Sequence, residues 1–158
     1  MTTIRQATTH DTEQLLTMAV QFREESPYRT RVKENVAQLE HLITYLLEHG
    51  AIFVAECPHC PDCGVLVGMI AVSITPQILS GELSGTEVAW WVDPHYRGTS
   101  AGLRLWKTAE AWAQDQGAAN MQMVRPAGEE RLARLYERRG YFELETVHQR
   151  EFDEFVPE

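Results

Sequence analysis

The stretch from Trp90 to Trp106, WWVDPHYRGTSAGLRLW, leaves the chain few local choices. Trp90-Trp91-Val92 is a β-forming run, and Asp93-Pro94 stops it. A loop of small residues follows. From Gly102 onward Leu105, Trp106, Ala109, Trp112 and Ala113 recur on one helical face until Gly117 ends the helix. A strand, a short loop and a helix start in succession stack free backbone N–H groups where the helix dipole also favours an anion. Arg97 enters that loop. Gly98, Thr99, Ser100, Ala101 and Gly102 carry little side chain to keep a phosphate from the backbone.

The flanking sequence reads as alternating elements. Thr2–Gln6 is a short first strand. Asp11 is placed to N-cap a helix over residues 12–24, with Gln14 in the capping-box position, and Ser26-Pro27 stops it. Val32, Val36, Leu39, Ile43, Leu46 and Leu47 mark one face of a second helix, and Gly50 lies just past its end. Ala51–Glu56, Gly64–Ile74 and Thr86–Val92 read as strands, with Ser80–Gly85 as a loop. Asn120–Val124 is a further strand and Glu129–Arg139 a helix closed by Gly140. Tyr141–Glu143 and Val147–Phe152 read as two short final strands. The order β-α-α-β-β-β-α-β-α-β-β is that of a mixed α/β sheet protein.

The 158 residues suit one domain, 1–158, with a sizeable core, and no repeat or long linker divides it. A formal charge of −9 argues against phosphate-led nucleic-acid binding; it would tolerate or attract a cationic substrate, and most of the carboxylates equally suit a solvated, soluble surface. Met1–Gln6 lacks the apolar run of a signal peptide, and Gly64–Val72 is too short to cross a bilayer. Three cysteines crowded into Cys57–Cys63 are no secreted disulfide framework. A cytoplasmic location without membrane contact is the simplest expectation.

The loop resembles the coenzyme-A loop of the GCN5-related N-acetyltransferases, the GNAT family. That pattern is Arg or Gln, two residues, Gly, one residue, then Gly or Ala. Arg97 fits the first position and Gly102 the last; Ser100 stands where the middle Gly is usual. A second segment, Leu135-Tyr136 followed by Gly140-Tyr141, resembles the family's later motif and falls 34 residues after Gly102, with one strand between. The resemblance covers nearly the whole chain in element order and is specific from about Glu87 to Tyr141.

It implies a twisted mixed sheet with helices on both faces, splayed open between the fourth and fifth strands, Thr86–Val92 and Asn120–Val124. It implies acetyl-CoA as cosubstrate, with residues 97–102 on the pyrophosphate and a strand N–H near Trp91 or Val92 polarising the acetyl carbonyl. Tyr136 would protonate the departing sulfur, and Glu87 would take the amine's proton directly or through a water. Glu87 also reads as an ordinary strand carboxylate. Strand alternation places it on one face with Ala89 and Trp91. Glu129 stands where the family often has an Asn that holds the pantetheine arm.

The acceptor would be a primary amine on a small molecule or peptide. Glu24, Glu25 and Tyr28 fall in the connection that walls the acceptor site in the family, and Trp90 is a further candidate for that pocket; the two acids equally suit a solvated helix end. A second copy of the chain is a candidate partner. Cys57, Cys60, Cys63 and His59 carry metal-like spacing, and a structural zinc, a labile thiol cluster and an inert insertion are all open. The alternative to an enzyme is a non-catalytic coenzyme-A-binding or protein-interaction module on the same fold, with the cysteine hairpin as its docking device.

Overall fold

Two adjacent strands, β2 (Ala51–Glu56) and β3 (Leu66–Pro76), are covered on both faces, and the other elements are arranged around them. The computed structural model describes residues 1–60 and 62–152. Ala51 through Ala55 are all buried, as a continuous apolar run rather than an alternating one requires. Helices α1 (Thr12–Glu24) and α2 (Val36–His49) cover one face, where Leu15, Met18, Ile43 and Leu46 meet Ile52, Val54, Met69 and Ala71. Helices α3 (Ala101–Asp115) and α4 (Glu130–Arg138) cover the other, where Leu105, Trp106, Ala109 and Tyr136 meet Phe53, Ile70 and Val72.

With β1 (Ile4–Gln6), β4 (Leu83–Val92) and β5 (Asn120–Gln122), the sheet order is β1-β2-β3-β4-β5. The first three pairings are antiparallel, and β4 pairs with β5 in parallel. This is the mixed α/β architecture expected, splayed where the fourth and fifth strands meet. Among the described residues no helix is long and apolar enough to cross a membrane.

Several boundaries differ from the sequence reading, each for a local reason. Asp11 does not cap α1. Its carboxylate accepts from Thr8 N at 2.8 Å and takes both Arg5 guanidinium nitrogens at 2.8 and 2.9 Å. Gln14 serves no capping box either: it clamps the base of the β2–β3 hairpin, donating to Gly64 O at 2.8 Å and accepting from Leu66 N at 2.9 Å. α2 begins at Val36 rather than near Val32, because Asn35 accepts from Gln38 N at 3.0 Å and so caps it.

β4 starts at Leu83, inside the stretch read as a loop, with Leu83 opposite Pro76. Gly85 belongs to the strand because a side chain there has no room: a Cβ would lie 2.9 Å from Ala113 Cβ and 3.0 Å from Met121 Sδ. The two final strands, Tyr141–Glu143 and Val147–Phe152, do not form; residues 141–151 carry no regular structure.

Candidate active site

β4 and β5 stay together only briefly. Ser84, Gly85 and Thr86 pair with Asn120, Met121 and Gln122, and the parallel ladder ends there. Just beyond, β4 bulges. Ala71 faces Ala89 and Val72 faces Glu87, so Val88 is the extra residue. The bulge overturns the simple alternation. Val88 and Ala89 both pack on the α1/α2 side with Trp91, whereas Glu87, opposite Val72, falls on the α3/α4 side with Trp90 and Val92.

At that point the carboxylate of Glu87 reaches across the parting. It is 5% exposed and accepts from Val124 N at 3.0 Å. Burial pushes its pKa up to about 7, and the Val124 hydrogen bond opposes this only in part. Tyr136, from α4, donates its hydroxyl to the Val124 carbonyl at 2.9 Å. Burial, and then the charge of Glu87, hold the phenol well above its ordinary value. Tyr136 packs edge-on to Trp106, with ring centroids 5.3 Å apart, and Trp106 Nε1 donates to Tyr141 Oη at 3.2 Å. The apolar face of α4 thus sets the position of the hydroxyl.

The loop after β4 is built as a shallow cradle. Asp93 N donates to Val67 O at 2.9 Å, so in the antiparallel ladder Trp91 and Asp93 turn their backbone groups toward β3. Trp90 and Val92 turn theirs to the parted side, and Arg97 Nε donates to Val92 O there at 2.8 Å. The Arg97 guanidinium also pairs with Glu25 and lies 6.0 Å from the Trp91 ring centre. Gly98 has φ +82°, a left-handed turn that a side chain would strain.

Thr99 donates its hydroxyl to Tyr96 O at 2.6 Å and accepts from Ala101 N at 3.3 Å. The first ladder bond of α3 runs from Arg104 N to Ser100 O at 2.9 Å, so the amides of Gly102 and Leu103 precede the ladder. Ser100 sits at φ −74° and ψ −7°, ordinary helical values that need no glycine. A Cβ on Gly102 would meet Trp90 at 3.4 Å and Val92 at 3.5 Å, ordinary contacts. Ala101 is fully buried, its side chain turned into the core.

The remaining candidates are distributed differently. Trp90 packs on Trp106, centroids 5.6 Å apart, beneath the loop and on the α3 side. It is therefore separated from Tyr28, which belongs to the α1–α2 connection on the opposite face. Tyr28 lines a groove of about 270 Å³ with Pro27, Arg31, Gln149 and Glu151. Glu24 is held by Arg23 at 2.8 Å and Arg29 at 3.4 Å, and Glu25 by Arg97, so neither carboxylate is without a cation. Glu129 precedes α4; its carbonyl accepts from Leu132 N at 3.1 Å and Ala133 N at 3.2 Å, and its side chain is exposed.

The zinc reading of the hairpin is not upheld. Cys57 is buried, with Sγ 3.3 Å from Tyr96 Oη, while Cys60 and Cys63 are exposed. Cys63 Sγ donates to Cys60 O at 2.8 Å, and His59 stacks at a tilt beside Tyr96. The thiols lie near one another, and the hydrogen bond to Cys63 pushes Cys60 up, but the His59 ring is turned to Tyr96. Among the described residues no group of three His, Cys, Asp or Glu is disposed to hold a metal ion.

Comparison with known proteins agrees with this arrangement. The model of the acetyltransferase (GNAT) family matches residues 13–141. The chain belongs to that family. Among solved structures, a transcriptional regulator from Bacillus halodurans C-125 is 22% identical, with 96% of this chain and 100% of that chain covered at a TM-score of 0.75. The aminoglycoside-modifying AAC(6′)-Iy, in complex with the bisubstrate analogue CoA-S-monomethyl-acetylneamine, is 16% identical over 97% of this chain and 99% of that chain, TM-score 0.76. Ribosomal-protein-alanine N-acetyltransferase from Brucella melitensis biovar Abortus 2308 is 17% identical over 95% and 99%, TM-score 0.69. At these identities the likeness is one of fold. No curated protein matches the sequence.

Within this GNAT fold, the feature that residue types could not reveal is Val124. It contributes no side-chain chemistry; its two backbone groups bring Glu87 and Tyr136 to one place. Nothing in the residue types marks that role, nor the bulge at Val88 that turns Glu87 toward it.

Proposed function

We propose that this chain, acting as one domain, transfers an acetyl group from acetyl-CoA to a primary amine by direct attack in a ternary complex. The observation that carries the reading is the pair of proton-bearing groups at the point where β4 and β5 part: Glu87 on one side of Val124 and Tyr136 on the other. The loop after β4 would hold the coenzyme. Amides that precede the α3 ladder, the left-handed Gly98 and small side chains from Thr99 to Gly102 suit a diphosphate. When bound, the coenzyme supplies an activated acetyl thioester.

The chain's own groups divide the remaining work. Glu87 accepts the amine's proton at its carboxylate, directly or through one water. The N–H groups of Trp90 and Val92, turned to the parted side, are placed to hold a carbonyl oxygen. Tyr136 keeps its proton through the neutral range and releases it to the departing sulfur. Glu87 and Tyr136 assist each other. The charge of Glu87 is one of the causes that keep Tyr136 protonated, so when Glu87 takes up a proton the phenol becomes more acidic.

The acceptor is a small or peptide amine approaching past Tyr28. The formal charge of −9 draws a cation toward it, even though Glu24 and Glu25 are already paired. The likeness to AAC(6′)-Iy, an aminoglycoside acetyltransferase, supports the small-amine class.

The test is thiol release from acetyl-CoA across a panel of polyamines, amino-sugars and peptide amines, alongside thermal unfolding with coenzyme A. A rise of several degrees and amine-dependent thiol release are expected, since a ligand that binds only the folded state raises its stability. Absence of both at millimolar coenzyme overturns the reading.

A further inference from the structure

Just after β2 the chain makes a tight turn whose two ends are both cysteines. Cys57 N donates to Val65 O at 2.9 Å, which fixes the first at the base of the hairpin. Pro58 and His59 form the centre of the turn, with Cys60 at its far end. The ends of such a turn stand within about 7 Å of each other, Cα to Cα, close to the separation that a disulfide spans.

The two thiols differ in the way a reactive pair needs. Cys57 is buried, with Sγ 3.3 Å from Tyr96 Oη. The Tyr96 hydroxyl, and then the backbone N–H of His59, favour its thiolate and hold the thiol below its ordinary value. Cys60 is exposed, and its hydrogen bond with Cys63 pushes it up, so it keeps its proton. A hollow of about 420 Å³ adjoins the turn, lined by Pro58, His59, Tyr96 and Thr99 among others. It admits a water-sized oxidant beside the tyrosine that touches the Cys57 sulfur.

We propose that Cys57 and Cys60 are a hydroperoxide-responsive thiol pair, oxidised together to a disulfide and returned to thiols by an external thiol. In the first step the Cys57 sulfur attacks the terminal oxygen of the hydroperoxide. The O–O bond breaks and Cys57 becomes a sulfenic acid. The departing oxygen leaves as water or alcohol with the proton the thiol gave up, relayed by the Tyr96 hydroxyl. In the second step the Cys60 sulfur attacks the Cys57 sulfur, the S–O bond breaks, and that oxygen leaves as water with the Cys60 proton. The two thiols together lose two electrons, and one hydroperoxide is reduced. The exposed Cys60 sulfur is then the one an external thiol attacks to reverse the bridge.

The consequence reaches past the hairpin. The Tyr96 carbonyl accepts from Thr99 N at 3.3 Å and from the Thr99 hydroxyl at 2.6 Å. The tyrosine that touches Cys57 thus also holds the loop leading into α3. Oxidation takes the hydrogen from Cys57 and draws its sulfur toward Cys60, away from Tyr96. The loop loosens and, resting on the reading that this loop holds the coenzyme, coenzyme affinity falls.

The experiment treats the folded protein with stoichiometric hydrogen peroxide and maps the product by peptide mass spectrometry. Of the three cysteines, two are expected to be joined as Cys57–Cys60, and dithiothreitol restores them. Cys63→Ser still forms the bridge. Cys60→Ser stops at a sulfenic acid on Cys57, captured by dimedone, and Cys57→Ser reacts about 10-fold or more slowly. Hydrogen exchange over residues 97–101 reads the loop without requiring it to bind anything, and is expected to be several-fold faster in the oxidised protein. The KM for acetyl-CoA rises several-fold with it. Without any acetyl transfer, the bridge and the exchange result still stand, so the two readings fail separately. A bridge between Cys60 and Cys63, three thiols retained, or Cys57→Ser reacting as fast as the wild type overturns the proposal. So does a Cys57–Cys60 bridge that leaves exchange of the loop unchanged.

Discussion

Glu87 and Tyr136 are joined through one residue: Val124 donates its N–H to Glu87 Oε2 at 3.0 Å and accepts the Tyr136 hydroxyl at its carbonyl, 2.9 Å away. The two side chains come from a strand and a helix far apart in sequence. Because both lean on the same residue, the segment just after β5 sets their separation. It also sets their electrostatics, since the Glu87 charge is felt at the phenol.

The first consequence is a pH profile. A base must be ionised to accept a proton, and burial pushes Glu87 up to about 7. Thus kcat/KM rises with pH through about 7 and levels off above it. Glu87→Gln removes that limb and lowers kcat/KM by about 100-fold or more, the usual contribution of a positioned base. Steady-state rates from pH 5.5 to 8.5 for both proteins check this. A wild-type limb unchanged in Glu87→Gln removes Glu87 from the role.

The same burial makes Glu87 a stability liability at high pH. Its folded pKa is raised from 4.5 to about 7, so the folded state holds the proton longer than the unfolded state. The associated stability is fully present below 4.5 and is lost as pH rises through 7. That shift corresponds to about 3 kcal/mol as an upper bound. Glu87→Gln keeps an acceptor for Val124 N without the charge, so its Tm exceeds the wild type's at pH 8 and matches it near pH 4.5. Equal Tm values at both pH values would show that the carboxylate is not held in a desolvated site.

Tyr136→Phe separates chemistry from binding. The ring still fills its place against Trp106, and only the hydroxyl is lost. We expect kcat to fall by about 100-fold or more with the KM for acetyl-CoA nearly unchanged. If the hydroxyl only steadied Val124, the loss would be small in kcat and would show as a lower Tm instead, about 1 kcal/mol for one hydrogen bond.

Much of this arrangement was legible in the sequence, and the parts that were not share a cause. Helical periodicity placed α1 and α3 well, and the apolar runs placed β2 and β3, because side-chain burial writes itself into residue type. Residues 98–102 were marked by their smallness, and Arg97 and Tyr136 by the resemblance to the family's two motifs. The bulge at Val88 left no such mark. A bulge is a matter of register between two strands, and a single strand's alternation carries no record of it. Gly85 misled for the opposite reason: it signals a loop locally, yet it is a glycine because Ala113 and Met121 crowd the strand. The arm beyond Tyr141 has a strand's alternation, yet residues 142–152 belong to no strand among the described residues.

The last prediction concerns metal removal. Cys57 faces Tyr96, whose carbonyl holds both Thr99 N and the Thr99 hydroxyl, so the hairpin touches the loop that leads into α3 through direct hydrogen bonds. Incubation with a strong chelator should therefore leave both Tm and turnover unchanged. Cys57→Ser shortens the contact atom and weakens the link to Tyr96. Its expected effect is a several-fold higher KM for acetyl-CoA with kcat nearly constant, since the loop rather than the Glu87–Tyr136 pair is disturbed. Chelation that abolished turnover and zinc that restored it would mean the thiols converge on an ion after all. A kcat loss in Cys57→Ser as large as that of Tyr136→Phe would place the hairpin in the chemistry itself.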